Sequence, residues 1–319
     1  MYGDDFKRRR RRWSRRGSAW PLLLVVVLAV VVAAAAATFA WPRLRPQGPG
    51  TSAHAARPAS PSPAATSAAA PARPAATPAP RPHFVKHPQP VPILLYHHVL
   101  AKPTGPRLVV MSTARLRAQL AYLSAHGYEA VTLRRVYDAW TGTGTLPPHP
   151  VVISFDDGYV DQVRNAAPLL RQYGWPAQLN LVFEALYLGS TPPADRLTPQ
   201  MVRSLLDDGW ELASHSLTHP DLTRLQARQL RRQLVVSRRR LRETFHVPVD
   251  FFCYPGGIYT KRVKTAVRAA GYLAATGTGY GAATPRDVYS LPRIYCYKGE
   301  TDKVFAARLK ETLAAATRD

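Results

Sequence analysis

The side chains best suited to chemistry are two adjacent aspartates, Asp156 and Asp157, in the run Ile153-Ser154-Phe155-Asp156-Asp157-Gly158-Tyr159. The apolar residues from Val151 to Ile153 read as a short buried strand and Gly158 as the turn that ends it, so both carboxylates stand at a strand mouth. Neighbouring strand residues point to opposite faces, which argues against a facing acid and base that flank a sugar. A division of duties fits better, with one carboxylate on a metal ion and its neighbour free to take a proton. A bound dication would also make the two anions tolerable, because it can be the largest charge in such a site. Further ligands lie in His215-Ser216-Leu217-Thr218-His219, whose two histidines share a face if the segment is a helical turn. Two histidines and one carboxylate with an open position form a hydrolytic zinc arrangement. Taken alone, the same spacing reads as two surface histidines beside a turn.

Two more strand ends carry polar groups. In Tyr96-His97-His98-Val99 a histidine is either a general acid in the same mouth or a residue capping the strand. In Phe252-Cys253-Tyr254-Pro255-Gly256-Gly257, Pro255 has no N–H and Gly256 offers the next backbone donor. Such a donor suits an oxyanion, and the plainer reading is a Pro-Gly turn.

These segments need a scaffold that brings strand ends together. Strand-like stretches at 91–96, 151–153, 177–183, 210–213, 251–252, 273–276 and 291–295 alternate with helical ones at 113–126, 163–173 and 225–245. Another helix opens at Thr198-Pro199, as N-cap and first-turn proline. The alternation predicts an α/β fold with a largely parallel sheet, barrel or open. In such folds chemistry gathers at the C-terminal ends of strands, where Asp156 and Asp157 fall.

The rest of the chain predicts a tether. The 319 residues carry a net charge of +23, of which +12 lies in residues 1–90 and +11 in residues 91–319. Half the excess therefore lies outside the folded region, which argues against nucleic acid as a partner. Residues 1–19 form a basic tail, and residues 20–42 are uncharged and apolar, bounded by Trp20 and Trp41. That pattern predicts a single transmembrane anchor with the basic side cytoplasmic and the rest of the chain outside. The alternative is a cleaved signal, which would release the protein, but no good cleavage site follows the apolar run. Residues 43–90 hold twelve of the thirty prolines and predict an extended linker. Such a linker could reach on the order of 100 Å from the membrane, which suits work in a cell wall. Residues 91–319 are of single-domain size, and their two cysteines, Cys253 and Cys296, are open to a disulfide or to two free thiols.

Together the motifs resemble the polysaccharide deacetylases, the NodB-homology domain of carbohydrate esterase family 4. The Ser154–Gly158 run matches the family's first motif, His215–His219 its second, and Phe252–Gly257 its third. The resemblance spans about residues 91–297 and implies a distorted (β/α) barrel with fewer than eight regular units. It implies that Asp156 is the general base, that Asp157, His215 and His219 hold a divalent metal, most simply zinc, and that the Gly256 N–H steadies an oxyanion. Two departures stand out. Cys253 occupies the place of the arginine that usually supports the base, and no histidine follows Gly271 to act as the usual acid. The chain instead resembles the branch acting on poly-N-acetylglucosamine, where an early Tyr-His motif brings the acid, here His97. Arg293 is then a candidate to supply the missing guanidinium, against the plain reading of a sheet-end arginine. The implied activity is metal-dependent N-deacetylation of an N-acetylglucosamine polymer (peptidoglycan, chitin-like or poly-N-acetylglucosamine). O-acetyl ester hydrolysis and a non-catalytic glycan-binding module of the same fold are the alternatives.

Overall fold

The computed structural model describes residues 83–86, 88–186, 188 and 195–318. The basic tail, the predicted anchor and nearly all of the predicted linker lie outside these residues. Among the described residues no helix is long and apolar enough to cross a membrane. Packing begins upstream of Val91: the Val85 amide donates to the Trp140 carbonyl, and the Trp140 indole donates to the Gln89 carbonyl.

The core is a parallel sheet. Its first strands are β1 (Ile93–Tyr96), β4 (Glu129–Ala130), β5 (Pro150–Asp157), β6 (Gln178–Leu181) and β7 (Glu211–Ser214). β8 (Phe251–Cys253), β9 (Ala274–Thr276) and β10 (Ile294–Tyr295) complete it. The strand order is β10-β1-β5-β6-β7-β8-β9, with β4 added beside the start of β5. A short separate pair, β2 (His98–Leu100) with β3 (Val110–Ser112), follows β1. The two ends of the sheet are drawn toward each other by a parallel bridge between Thr276 and Leu291, just ahead of β10. The result is an incomplete barrel, in keeping with the distorted (β/α) architecture implied by the motifs.

The strand sequences explain their burial. β1 is ILLY and β5 is PVVISFDD, and every residue of both is buried except Asp157. Strands covered on both faces read as near-continuous apolar runs, as these do. The covering helices are α1 (Thr113–Ala125), α2 (Leu133–Trp140), α3 (Ala167–Arg171), α4 (Pro199–Asp207), α5 (Ala227–Arg231), α6 (Ser237–Phe245), α7 (Lys261–Ala269) and α8 (Asp302–Arg318). Threonine hydroxyls cap three of them, accepting from Arg135 N at α2, Met201 N at α4 and Val263 N at α7. Each such cap contributes about 1 kcal/mol. The helical stretch expected at 225–245 is α5 and α6 joined through a π-helical turn, Arg232–Val236; a second such turn, Gln162–Ala166, precedes α3.

Register sets the site. Tyr96 pairs with Phe155, so His97 and Asp156 emerge side by side from adjacent strands. Asp156 pairs with Asn180, and Leu181 with Ser214, the residue before His215. Thus β1, β5, β6 and β7 deliver His97, the two aspartates, Asn180 and His215 to one end of the sheet.

Candidate active site

Asp157, His215 and His219 converge. His215 Nε2 and His219 Nε2 lie 3.5 and 3.6 Å from Asp157 Oδ1 and 3.2 Å from each other. Four tetrahedral ligands at about 2.1 Å from an ion are about 3.4 Å apart, so the three atoms match three corners of a zinc-sized site. The Cys253 carbonyl lies 2.8 Å from His215 Nδ1. A carbonyl can only accept, so Nδ1 carries the proton and Nε2 keeps its lone pair for an ion.

Segment 215–219 is not a helical turn, which corrects the reason expected for the convergence of the two histidines. It is an irregular loop in which Ser216 and His219 adopt left-handed backbone, with φ of 71° and 60°. The Ser216 hydroxyl accepts the His219 amide at 2.9 Å and closes the loop. Asp157 also leaves extended geometry, at φ 72°, and this corrects the simple picture of opposite faces. Asp156 Oδ2 lies 4.0 Å from His215 Nε2, so both carboxylates approach the same imidazole. Left-handed φ on three non-glycine residues costs of order 1 kcal/mol or more each, and such strain clusters where function requires a geometry.

Asp156 is buried and its oxygens are heavily engaged. Arg293 grips it with both terminal nitrogens, Nη1 to Oδ1 at 2.7 Å and Nη2 to Oδ2 at 2.8 Å. The Asn180 amide adds a donor to Oδ1 at 2.7 Å, and the Cys253 thiol approaches Oδ2 at 3.7 Å. Arg293 is itself fixed by donation from Nε to the Gly277 carbonyl at 2.8 Å. The guanidinium sought at position 253 thus reaches Asp156 from just ahead of β10. Burial alone would raise the Asp156 pKa. Attraction to Arg293 and His215, the Arg293 hydrogen bonds and the nearby His97 outweigh it and hold the carboxyl well below its usual range.

His97 Nε2 lies 3.9 Å from Asp156 Oδ2, in the same mouth. Burial lowers its pKa, opposed by the charges of Asp156 and Asp157. His98 turns elsewhere: its Nδ1 is 2.7 Å from Asp161 Oδ2, and its ring stacks on Tyr159 with centroids 3.5 Å apart. Gly256 lies exposed in the short turn Pro255–Gly257 that follows β8, at φ 60°. Cys253 and Cys296 are separate buried thiols.

Sequence reasoning missed two residues. Asn180 is one of two polar residues in the fully buried strand QLNL, and that inward polarity was its one signal. Gln162 is fully buried, and its Nε2 donates to the carbonyls of both Asp156, at 2.7 Å, and His97, at 3.1 Å. One amide therefore ties the backbones of the two residues together across β1 and β5. It stands at the head of the π-helical turn, a kind of turn frequent at functional sites. A cleft of about 570 Å³ opens beside the cluster of Asp157, His215 and His219, lined among others by Asp157, Tyr159, Glu184, Arg196 and His219. Burial, then the charge of Asp157, keeps the Tyr159 phenol protonated.

Comparison with known proteins agrees with these features. The family model described as "Polysaccharide deacetylase" matches residues 143–275, from the approach to β5 through β9. The "Putative polysaccharide deacetylase YxkH" of Bacillus subtilis is 26% identical over 224 residues, covering 70% of this chain and 77% of that protein. The poly-beta-1,6-N-acetyl-D-glucosamine N-deacetylase of Escherichia coli is 34% identical over 82 residues, 26% of this chain but only 12% of that protein. Among solved structures, the Streptococcus pyogenes deacetylase PplD superposes with a TM-score of 0.64 at 22% identity, covering 71% of this chain and 99% of PplD. Sequence motifs, family match and fold thus agree: residues 143–275 match the polysaccharide deacetylase family, and the chain shares its fold with a solved deacetylase.

Proposed function

We propose that the domain hydrolyses the N-acetyl groups of an N-acetylglucosamine-containing polysaccharide, releasing acetate and leaving a free amine. The observation that carries this reading is the meeting of Asp157, His215 and His219 at ion-ligand spacing beside Asp156 and His97. Two relatives support it by name: one is an N-deacetylase of poly-N-acetylglucosamine, and another, from Sinorhizobium fredii, a chitooligosaccharide deacetylase.

The donor set of two imidazoles and one carboxylate fits zinc, and Asp157, His215 and His219 would hold it. When bound, such an ion supplies Lewis acidity toward a carbonyl oxygen and toward water at neutral pH. Asp156 is the base. It is ionised at any working pH, and its Oδ2 faces the gap between His97 and His215, where water attacking an acetamide carbon can give up its proton. Arg293 and Asn180 hold that carboxylate in one orientation. His97 donates a proton to the departing amine as the C–N bond breaks. The Gly256 N–H is assigned to the oxyanion that forms between these events. The proton that Asp156 took from water then returns to His97 by way of solvent, so both groups regain their starting states and atoms and charge balance as acetic acid, ionised at neutral pH, leaves. We place the domain on the outer side of the cell membrane, tethered through residues 20–42 and the 43–90 linker.

The test is acetate release by the full chain from a panel of N- and O-acetylated glycans, with and without chelator. Release from N-acetylated glycans that chelator stops and zinc restores is expected. Asp156→Asn should lose turnover yet retain stoichiometric metal by elemental analysis. Preference for O-acetyl esters would overturn the substrate assignment, and no release from any glycan would leave a binding module.

A further inference from the structure

The domain's positive charge is not spread evenly. Between Asp221 and Gly271 the chain carries twelve Lys and Arg against three acidic residues, a net +9 of the +11 in residues 91–319. The remaining 178 residues of that region hold seventeen of one sign and fifteen of the other. An Arg-rich composition would have charged every surface alike. Here one layer, α5, α6 and α7, carries almost all the excess.

These elements form a continuous face. α5 packs on α7, and α7 packs on the short turn Leu222–Arg224 that follows His219. Arg228, Arg231, Arg232, Arg242 and Arg268 are exposed and have no acidic partner within ion-pair distance among the described residues. The face comes near the cleft at two points. Arg262 donates to the Thr223 carbonyl at 3.0 Å, four residues beyond the ligand His219. The Arg240 guanidinium lies 5.4 Å over the Phe183 ring, at the start of the turn Phe183–Ala185, whose Glu184 and Ala185 line the cleft.

We propose that this face is an exosite for an anionic glycan, one carrying carboxylate or phosphodiester groups, and that it guides such a polymer into the cleft. A cluster of like-charged, unpaired arginines raises the local concentration of a polyanion and speeds its capture. That this polymer is also the substrate rests on the deacetylase reading above, and the chemistry of the product favours it. Each hydrolysed acetamide becomes an amine that is cationic near neutral pH. A neutral homopolymer would therefore be turned into a polycation and driven from a +9 face. A polymer with its own anions stays attracted as the reaction proceeds along it.

The test compares the full chain with the variant R228E/R231E/R232E/R242E, so that the basic tail at residues 1–19 is the same in both. Binding is read by fluorescence anisotropy with three labelled probes: hyaluronan oligosaccharides (N-acetylglucosamine alternating with a carboxylate sugar), chitooligosaccharides of equal length, and a glycerol-phosphate polymer. We expect the wild type to bind at least one anionic probe about tenfold or more tighter than the neutral one at about 50 mM salt, with the advantage shrinking as salt rises. The variant should lose about tenfold on that probe while its binding of chitooligosaccharides, and acetate release from them, stays unchanged. The two anionic probes decide between carboxylate and phosphodiester. Equal binding of all probes by wild type and variant overturns the proposal, and so does duplex DNA displacing the anionic glycan at equal charge concentration. If the Glu quartet fails to fold, R228Q/R231Q/R232Q/R242Q must give the same loss on a smaller scale. The binding arm needs no turnover, so silence of the hydrolysis assay counts against the deacetylase reading and not against the exosite.

Discussion

Arg293→Met separates electrostatic support of Asp156 from mere packing. In the native chain Arg293 is 1% exposed and its guanidinium has three kinds of acceptor: both oxygens of Asp156, the Gly277 carbonyl and the Ser154 hydroxyl. Methionine fills most of the volume and removes every donor. Losing the hydrogen bond to Gly277 costs about 1 kcal/mol and does not depend on pH. The larger loss comes from Asp156, left buried with Asn180 and a weak thiol donor. Breaking one side of a buried pair typically costs about 3–5 kcal/mol. In a domain of this size that lowers Tm by roughly 6–20 °C at pH 7.5.

The pH dependence distinguishes the two parts. In the wild type the folded pKa of Asp156 is depressed below the unfolded value of about 3.9. Its stabilisation is therefore fully present above about pH 4 and is lost as pH falls through the folded value. In the variant burial dominates, the folded pKa rises above the unfolded one, and the sign inverts: the variant is relatively most stable when Asp156 is protonated, and weakens as pH rises. Thermal melts of both proteins at pH 7.5 and pH 5, without metal, should show a Tm gap that narrows clearly at the lower pH. If Asp156 is the base, as proposed, the activity of the variant should need a higher pH than that of the wild type, because Asp156 must first ionise. A Tm gap of equal size at both pH values would show that Arg293 acts through packing alone and would refute the argument.

Other perturbations follow from the same geometry. Gly158→Ala should destabilise by at least about 1–2 kcal/mol by thermal melt, because φ is 89° and a Cβ would sit 2.4 Å from Leu181 Cδ1. Gln162→Leu removes the amide shared by the Asp156 and His97 carbonyls; kcat should fall about tenfold or more with KM little changed, since the lost interactions hold the proposed base and acid rather than the glycan. Burial raises the thiol pKa of both Cys253 and Cys296, so a thiol reagent should leave both unmodified in the native chain and titrate both after denaturation.

Which parts of this could be read from sequence follows from the range of the forces involved. Runs such as ILLY and PVVISFDD announce buried parallel strands because their burial on both faces is written in consecutive residues. Thr198-Pro199 announces α4 because a cap and a first-turn proline act within three residues. β2, β3 and β4 have two or three residues each and exist only because neighbours pair with them, so no periodicity could reveal them. The meeting of Asp157, His215 and His219 was legible through residue type and spacing, but its cause was not. Helical spacing predicted the right neighbours for a wrong reason, since the loop is closed by the Ser216 hydroxyl and two left-handed residues. Gln162 was invisible because its partners are backbone carbonyls, which leave no trace in composition.

Arg293 shows what spacing cannot carry. The third motif lacks its usual arginine, and at that position Cys253 gives Asp156 only a thiol 3.7 Å away. Read along the chain, Asp156 has lost its support; read in space, the guanidinium arrives 137 residues after Asp156, through the loop that links β9 to β10. The two arrangements differ in what must hold still. A motif arginine would depend on β8 alone, whereas Arg293 depends on the Thr276–Leu291 bridge and on the Gly277 carbonyl that together draw the ends of the sheet toward each other. The edge between β9 and β10 is therefore coupled through Arg293 to the ionisation of Asp156. Any change that opens the edge between β9 and β10 should raise the Asp156 pKa even when every residue of the three motifs is intact.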